Sequence, residues 1–291
     1  MPRKPTIAII GAGRLGTALA LALHQAGYSI PELISRNRAA SIKSAQSLAR
    51  KVSATAFTLA KANLDADVLW LCVPDSQISG VAGEAARKLS AKNPSTPKIV
   101  FHSSGALSSH ELSPLRNNGV SVASVHPLMS FVRGTSPSLK QVPFALEGDL
   151  KAIRTARKIA LDLGGEPFVI AAASKPLYHA WGAFLSPLLV AALVTSEQVA
   201  HAAGLSTRHA RRKMKPIILQ TFANYANLGP AGAFTGPLVR GDARIIRHHL
   251  SHLKKVPKAR PVYLALTLAA LRQLPARRRK ELLNILNAEQ S

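Results

Sequence analysis

The chain has a single cysteine, Cys72, among its 291 residues. A lone cysteine excludes an internal disulfide and is typical of proteins that fold in a reducing compartment. Acidic residues are also scarce, at 14 against 38 lysines and arginines, which gives a formal net charge of +24. Such a charge attracts nucleotides, carboxylates, nucleic acids and membrane surfaces alike, and it does not choose among them.

Long hydrophobic runs are missing as well. The N-terminal apolar stretch up to Leu23 is interrupted by Arg14 and by glycines, so it predicts a strand and a helix and not a signal peptide. The stretch 180–194 is too short for a membrane span and contains Pro187, so we predict a buried core helix there. Apolar residues make up 47% of the chain, which is enough for a packed core. We therefore expect a soluble, cytoplasmic protein that does not bind membranes.

Aromatic residues make up only 5% of the chain, and none interrupts the basic clusters 208–215 and 277–280. We interpret these clusters as solvated helix faces, and we do not expect nucleic-acid binding. His248 and His252 are spaced four apart, but no acid or cysteine follows at ligand spacing, so we predict no metal site. A phosphate-binding GK[ST] loop and a nucleophile elbow are also absent from the sequence.

The first 172 residues alternate short apolar runs with longer amphipathic ones. This alternation predicts an α/β fold with a Rossmann-type parallel sheet. Ser108 and Glu111 have the spacing of a capping box that opens a helix. The predicted strands cover residues 6–10, 33–35, 67–73, 98–102, 120–125, 143–147 and 167–170.

Strand patterns vanish after about residue 172, and long helical patterns replace them. We therefore predict two domains, a nucleotide-binding domain at 1–172 and an all-helical substrate and dimerisation domain at 173–291. The predicted helices of the second domain cover residues 174–203, 206–225, 241–253, 258–273 and 276–288.

The first strand is followed by GAGRLG, a GxGxxG motif that opens a helix. Gly11 permits the tight turn, Gly13 lets the backbone approach a pyrophosphate, and Gly16 lets the helix pack against the sheet. The free N–H groups at the helix N-terminus favour phosphate binding. We predict that the whole loop contacts a dinucleotide: Gly11, Ala12, Gly13, Arg14, Leu15 and Gly16.

The end of the second strand predicts which dinucleotide is bound. NAD sites place an acid there, whereas this chain has Ser35, Arg36, Asn37 and Arg38, and Glu32 comes too early to reach the ribose. Arginine pairs with a 2′-phosphate through charge-assisted hydrogen bonds, so we predict NADP(H), bound by Ser35, Arg36 and Arg38. The alternative is that these arginines form a solvated basic start of a helix.

Three further strand ends carry polar or turn-forming residues, and ligands of open α/β sheets gather at such ends. Val73 and Pro74 follow one strand and are predicted to contact the cofactor. The hydroxyls of Ser103 and Ser104 are candidates for holding a substrate oxygen or the nicotinamide amide, with a role in a turn as the alternative. His126 is a candidate catalytic group, or a histidine satisfied within the core.

The motifs of this chain, taken in their order along the sequence, resemble those of one poorly characterised family. That family pairs a Rossmann-like NADP domain with a helical C-terminal domain of the 6-phosphogluconate-dehydrogenase type. That family is distantly similar to ketopantoate reductase, pyrroline-carboxylate reductase and the β-hydroxyacid dehydrogenases. The resemblance extends over essentially the whole chain and is specific for fold and cofactor, not for substrate. It rests on GxGxxG, Val73-Pro-Asp, His102-Ser-Ser-Gly, His126-Pro-Leu-Met-Ser-Phe, Lys175-Pro-Leu-Tyr-His179 and Gly236-Pro-Leu-Val-Arg240-Gly-Asp242.

The resemblance implies that Lys175 and His179 line the cleft between the domains. Their spacing of four places them on one helix face, where two cations would lower each other's pKa. Either could protonate a reduced ketone or imine, and the alternative for Lys175 is a plain helix-start lysine. Arg240 suits a substrate carboxylate or a structural pair with Asp242. Where the family has an asparagine, this chain has Pro187, which cannot anchor a substrate.

The leading hypothesis is an NADP(H)-dependent oxidoreductase that reduces a small, anionic carbonyl or imine compound, such as the oxo acid ketopantoate. Lys175, His179 and His126 are its candidate catalytic residues, and Ser103, Ser104 and Arg240 are its candidate substrate contacts. The apolar helical domain suggests a homodimer. The alternative hypothesis is a non-catalytic NADP-binding sensor or scaffold whose basic surface binds acidic partners or nucleic acid.

Overall fold

The computed structural model describes residues 3–90, 98–132, 134–135 and 137–289. They form two compact units, residues 1–183 and residues 184–291. The first unit contains a sheet of eight short strands, and buried β-branched and leucine residues account for the extended conformation of most of them. The strands are β1 (Ile7–Ile10), β2 (Glu32–Ser35), β3 (Thr55–Thr58), β4 (Val68–Leu71), β5 (Ile99–His102), β6 (Ser121–Pro127), β7 (Pro143–Gly148) and β8 (Glu166–Val169).

The strand order is β3-β2-β1-β4-β5-β6-β7-β8. Neighbours pair in parallel except β6 and β7, which are antiparallel. The predicted α/β fold with a parallel sheet is thus confirmed except for the antiparallel pairing of β6 and β7, and β3 is the strand that sequence reasoning missed. Residues of β3 are exposed or only half-buried, so its sequence TAFT lacks the continuous apolar run that identifies its neighbours.

Helices cover both faces of this sheet, and each face has its own apolar core. The helices of the first unit are α1 (Arg14–Gln25), α2 (Ala39–Lys51), α3 (Ile78–Ser90), α4 (Ser113–Arg116), α5 (Leu150–Asp162) and α6 (Lys175–Leu185), whose last two residues belong to the second unit. On one face, α1 and α5 pack over β1, β4 and β7, with Trp70 and Phe101 fully buried at the centre. On the other face, α3 packs over β1, β4 and β5.

The described part of the second unit consists of helices and connecting turns. The helices are α7 (Pro187–Ala202), α8 (Thr207–Ala233), α9 (Pro237–Arg240), α10 (Ala243–Leu253), α11 (Ala259–Gln273) and α12 (Arg279–Ala288). A small core of leucine, isoleucine and alanine joins α10, α11 and α12. In place of the single predicted helix 174–203, the chain breaks at Ser186, and Pro187 occupies the first turn of α7, where its missing N–H costs nothing.

The prediction of a buried core helix at 180–194 is wrong. Helix α7 has no buried residue, and Leu188, Leu189 and Val190 are each about half exposed. Residues 187–194 of this helix are all apolar, and α7 packs mainly against α8 and α11, so much of its apolar surface faces outward. Residues Ala172–Ala202 are, within the described chain, the one helical stretch that is long and apolar enough to cross a membrane, judged by length and composition alone.

The predicted capping box is also wrong in its side-chain contacts. Ser108 does occupy the N-cap position, but of a short 3-10 helix over Ser109–Leu112, and its hydroxyl makes no capping hydrogen bond. The carboxylate of Glu111 instead accepts a hydrogen bond from Ser79 on α3. The Glu111 carboxylate therefore binds a residue that is distant in sequence, and it does not cap the helix end as the local pattern predicted.

Candidate active site

The GxGxxG turn connects β1 to α1 through very close backbone contacts. Gly11 has a φ of +111°, and a Cβ atom there would lie 2.3 Å from the Cys72 carbonyl oxygen. A Cβ atom on Gly16 would lie 1.9 Å from the Gly11 carbonyl oxygen. Only glycine satisfies both positions, and this is why α1 can start directly above the ends of β1 and β4.

Gly13 differs from these two glycines because a Cβ atom there would contact nothing within 4 Å. Gly13 is the N-cap residue of α1, and no side chain caps that helix end. The first N–H groups of α1 are therefore left for a ligand, and the absent side chain lets a ligand approach them closely.

Gly11 and Gly13 line a cavity of about 710 Å³, which we call the glycine-loop cleft. Eight of the eleven predicted cofactor contacts line it: Gly11, Ala12, Gly13, Arg14, Ser35, Arg36, Val73 and Pro74. The other three do not. Gly16 serves helix packing, Leu15 packs against the core, and Arg38 is an exposed residue at the N-cap position of α2.

Several cleft residues escaped sequence reasoning. Some follow β3, which was not predicted. Others lie three or four residues apart on one face of α2 or α3. Helical periodicity could have identified this face once the neighbouring ligand site was known. They are Asn37, Ala40, Ser41 and Ser44 at the start of α2, Thr58, Leu59 and Ala60 after β3, and Gln77, Val81 and Glu84 before and on α3.

Residues at and after the end of β2 line the cleft with the guanidinium of Arg36 and the hydroxyls of Ser35 and Ser41. The Arg36 Nε atom donates to the Ser41 hydroxyl at 3.0 Å, which holds the guanidinium along the start of α2. Glu32 is 4% exposed, and its carboxylate accepts backbone N–H groups of Asn63 and Leu64 at 2.8 and 2.9 Å. Glu32, the acid nearest in sequence to Arg36, is therefore bound by backbone N–H groups and does not line the cleft.

Beside the cleft, at the ends of β5 and β6, lies a polar cluster that consists of His102, Ser104, Ser124, His126, Lys175 and Tyr178. His102 is fully buried, with Nδ1 accepting the Ser104 N–H at 3.1 Å and Nε2 lying 3.0 Å from the Ser108 carbonyl oxygen. Nε2 therefore carries the proton and donates it. Burial lowers the pKa of His102 to about 4, so this histidine is neutral at pH 7.

The two predicted substrate-binding serines are both occupied by intramolecular bonds. The Ser103 hydroxyl accepts the Trp70 indole N–H at 2.8 Å. The Ser104 hydroxyl accepts the backbone N–H groups of Ala106 and Leu107 at 3.2 and 2.9 Å. For Ser104 the structure thus places the side chain in a turn, which is the alternative left open by the sequence.

Lys175 opens α6 and is only 1% exposed. Its ammonium donates to the Ser104 carbonyl at 3.0 Å and to the Ser124 hydroxyl at 2.7 Å. Burial lowers its pKa to about 8, against the opposing influence of Glu147 and Asp75. His179 does not contribute to this shift, so the expected mutual effect of the two cations is not its cause. Ser124, in the middle of an apolar strand, was missed because one serine gives no pattern.

His126 and His179 meet at Gly105. A Cβ atom on Gly105 would lie 2.9 Å from the His126 Nε2 atom and 3.0 Å from a ring carbon of His179. His179 is exposed, and His126 is half-buried with its Nδ1 atom 2.7 Å from the Tyr178 hydroxyl. Burial, followed by the charge of Lys175, lowers the pKa of His126 to about 4. The three predicted catalytic residues therefore surround the Ser104–Gly105 segment, and Lys175 contacts it from the buried side.

Arg240 belongs to the second unit and pairs with Asp242. Its Nε and terminal nitrogen atoms lie 2.9 and 2.8 Å from one carboxylate oxygen of Asp242. Of the two roles the sequence left open, the structural pair is the one present here. The guanidinium remains 62% exposed, and Asp242 consequently does not cap α10 with its side chain.

The other basic and histidine clusters lie on exposed helix faces. Arg211 forms a two-bond pair with Glu197, with distances of 2.7 and 3.0 Å. His249 contacts the Tyr263 hydroxyl, while the rings of His248 and His252 lie tilted against each other with centroids 4.3 Å apart. Among the described residues, no three histidine, cysteine, aspartate or glutamate side chains are grouped as they would be around a metal ion.

Two family models match successive parts of the chain. Residues 1–127 match the model of the Rossmann-like domain, and residues 142–270 match the model of a domain of unknown function, DUF2520. No curated protein matches the chain.

Solved structures resemble the chain over nearly its full length. A proposed NADP oxidoreductase from Bacteroides fragilis is 24% identical, with a TM-score of 0.74 over 91% of this chain and 97% of that one. The protein TM1727 from Thermotoga maritima is 25% identical, with a TM-score of 0.70 over 98% and 100%. An imine reductase from Myxococcus stipitatus, solved with NADP⁺, is 18% identical, with a TM-score of 0.66 over 92% and 94%. The chain therefore combines a Rossmann-like domain with the domain of unknown function DUF2520, as its motifs predict.

Proposed function

We propose that this chain is an NADP(H)-dependent reductase of a small, anionic compound with a C=O or C=N group. The observation that carries the proposal is the placement of two sites at one edge of one sheet. The glycine-loop cleft lies at the ends of β1, β2 and β4, and the polar cluster lies at the ends of β5 and β6. A dinucleotide bound in the cleft would extend along this edge toward the cluster.

The cleft has the features that NADP(H) requires. Its volume of about 710 Å³ is in the range of cofactor sites. The uncapped start of α1 and the open space at Gly13 fit a pyrophosphate. Arg36 fits a 2′-phosphate, whereas Glu32 is held by backbone N–H groups and is not free to bind ribose hydroxyls. The names of the Bacteroides and Myxococcus proteins, which both mention NADP, are consistent with this choice.

NADPH, when bound, would supply a hydride to the electrophilic carbon of the substrate. The chain itself must then stabilise the negative charge that develops on oxygen or nitrogen and deliver a proton to it. Lys175 places a buried positive charge 3.0 Å from the carbonyl oxygen of Ser104, in the peptide bond that joins Ser104 to Gly105. His179 is exposed at the same glycine and is placed to contact substrate, and histidine is a residue type suited to proton transfer near neutral pH.

The charge around the site favours an anionic substrate such as an oxo acid or an imino acid. Arg14 and Arg36 line the cleft, and the chain as a whole carries a net charge of +24. A positive field of this kind raises the local concentration of carboxylate substrates and speeds their association. Ketopantoate and cyclic imino acids are therefore the first compounds to test.

The experiment has a binding arm and a turnover arm. NADPH should raise the melting temperature much more than NADH, because only a ligand of the native state stabilises it. NADPH oxidation should then be followed with ketopantoate, other oxo acids and cyclic imines. Equal melting shifts with the two cofactors would contradict the role of Arg36. NADPH binding without turnover on any of these substrates, together with salt-dependent binding of DNA, would instead favour a non-catalytic sensor.

We also propose that the chain forms a homodimer through α7 and α8. Phe222, Tyr225 and Leu228 on α8 are each more than half exposed, and α7 has no charged residue before Glu197. Two helices in contact that both expose several large apolar side chains are unusual on monomers and typical of interfaces between identical subunits. A second copy offers the same apolar helices and so matches the surface in chemistry.

The dimer can be tested by light scattering after size exclusion. The wild-type chain should have the mass of two chains at micromolar concentration, and Phe222→Glu should reduce it to one. Arg212→Glu, on the basic and exposed part of the same helix, is the matched control and should stay dimeric. A monomeric wild-type chain, or flotation with lipid vesicles in place of dimerisation, would contradict the proposal.

A further inference from the structure

The polar cluster contains a buried tyrosine to which the sequence assigned no role. Tyr178 lies three residues after Lys175 on α6 and is 7% exposed. Its hydroxyl oxygen lies 2.7 Å from the Nδ1 atom of His126. The two rings meet edge to face, with centroids 5.5 Å apart and an interplanar angle of 88°. The tyrosine ring also packs against Phe168 and Trp181, so its position is fixed on several sides.

The direction of this hydrogen bond follows from its surroundings. Among the described residues, His126 is the one hydrogen-bond partner of the Tyr178 hydroxyl. Burial raises the pKa of Tyr178, so the phenol keeps its proton and needs an acceptor for it. Because the pKa of His126 is lowered to about 4, its imidazole is neutral at pH 7 and Nδ1 can be that acceptor. A neutral imidazole has one N–H, which must then be on Nε2.

The Nε2 atom of His126 is open to a ligand. No described residue forms a hydrogen bond with it. Among the described residues, the one fully buried side-chain nitrogen or oxygen that lacks a hydrogen-bond partner is Arg260 Nε. Because the Nε2 atom of His126 also lacks a partner, it is not fully buried and is in contact with solvent. The atom lies beside Gly105, where a Cβ atom would come within 2.9 Å of it. The absence of a side chain at this position keeps the nitrogen uncovered.

We propose that Tyr178 is a positioning residue that holds His126 in the Nε2–H tautomer, so that His126 presents a neutral hydrogen-bond donor to an oxygen atom of the substrate. The substrate part of this inference rests on the proposed reductase function, whereas the tautomer does not. A neutral N–H can bind and polarise a carbonyl or carboxylate oxygen without giving up its proton. His126, which the sequence suggested as a proton donor, thereby becomes an oxygen-binding group, and proton delivery is left to His179.

The tautomer is measured directly by long-range ¹H–¹⁵N correlation spectra of the ¹⁵N-histidine-labelled protein at pH 7, without any ligand. The signals of His126 are identified among the ten histidines by their loss in His126→Gln. We expect an unprotonated Nδ1 and a protonated Nε2 in the wild type. In Tyr178→Phe, which keeps the packed ring, the spectrum should show a mixture of tautomers. A protonated Nδ1 in the wild type, or an unchanged His126 in the variant, would overturn the proposal.

The matched control is Tyr263→Phe. Its hydroxyl also contacts a histidine Nδ1 atom, that of His249, at 3.0 Å, but on an exposed helix face of the second unit. This variant should change the His249 signals and leave those of His126 untouched. In turnover assays, Tyr178→Phe should lower kcat/KM by about tenfold, as expected for one neutral hydrogen bond, while NADPH affinity stays the same. A tautomer change without any turnover in the wild type would refute the reductase function and leave the positioning role intact.

Discussion

The glycine-loop cleft and the polar cluster lie at the same sheet edge, yet they are built in opposite ways. The cleft is open and consists largely of backbone, with Gly13 leaving space and Arg36 exposed along α2. Most of the polar cluster is closed, because His102, Ser104, Ser124 and Lys175 are at most 4% exposed and bond to one another. The cluster opens at the Nε2 atom of His126, which is half-buried. Ligand binding in the cleft therefore depends on the missing side chain at Gly13, whereas chemistry in the cluster depends on buried polar side chains.

This difference has a consequence for electrostatics. In the cleft, charges face solvent and are screened by salt, so each contributes modestly and locally. In the cluster, burial changes the protonation of the groups themselves, with Lys175 lowered to a pKa of about 8 and His126 to about 4. Substitutions in the cluster should consequently have the larger effects and should change pH profiles, while substitutions in the cleft should change cofactor affinity alone.

The largest effect is expected from Lys175→Met. The variant removes the buried charge at the Ser104 carbonyl oxygen, and a group engaged in proton transfer or charge stabilisation typically contributes roughly 100- to 10,000-fold to turnover. We expect kcat to fall by at least about 100-fold while the Kd for NADPH, measured by fluorescence titration, stays within about twofold of the wild type. Loss of NADPH binding together with activity would mean that Lys175 supports the fold of the whole edge.

The pH profile separates the charge of Lys175 from its packing. The ammonium form is needed and is lost above its pKa, so wild-type kcat should fall as the pH rises through about 8. Lys175→Arg keeps a cation that does not deprotonate in this range, so its alkaline decline should move to higher pH even if the rate is lower. A decline that stays near pH 8 in Lys175→Arg would assign it to another group.

A smaller effect, confined to cofactor choice, is expected from Arg36→Ser. Charge-assisted hydrogen bonds contribute about 1.5–3 kcal/mol each, so the Kd for NADPH should rise by roughly 10- to 100-fold with the Kd for NADH unchanged. Arg38→Ser is the matched control, since Arg38 does not line the cleft, and it should change the Kd for NADPH by no more than about twofold. If Arg38→Ser had the larger effect, the 2′-phosphate would lie on the other side of α2.

These two arginines illustrate what sequence could and could not predict. The motif GAGRLG predicts the turn, the helix start and the phosphate side of the cleft, because backbone sterics at Gly11 and Gly16 leave no other residue possible. Spacing alone could not separate Arg36 from Arg38, because both follow β2 and the direction of each side chain is set by the start of α2. Likewise, the alternation of patterns predicts the sheet but not the weakly apolar strand β3 or the antiparallel pairing of β7.

The polar cluster shows a deeper limit. Lys175 and His126 were identified as candidates, but their pKa shifts come from burial by residues distant in sequence, and local spacing carries no information about burial. The partners that matter most, Ser124 and Tyr178, each carry a single hydroxyl that forms no pattern with its neighbours in sequence. Long-range packing, which no local motif encodes, thus determines both the contacts and the protonation states.

The smallest expected effect concerns stability at mildly acidic pH and tests whether the cluster is held neutral by burial. The pKa of His102 is about 4 in the folded chain and 6.5 in the unfolded chain, so only the unfolded state takes up a proton between these values. His102 should therefore destabilise the fold by about 1 kcal/mol on going from pH 7 to pH 5.5. In His102→Gln, urea unfolding should show a pH dependence that is weaker by this amount, whatever the stability of the variant at pH 7.

His110, which is exposed, provides the control, because His110→Gln should leave the pH dependence of the wild type unchanged. An equal pH dependence in all three proteins would mean that His102 reaches water in the folded state, and the contrast between a closed cluster and an open cleft would then fail at its most buried residue.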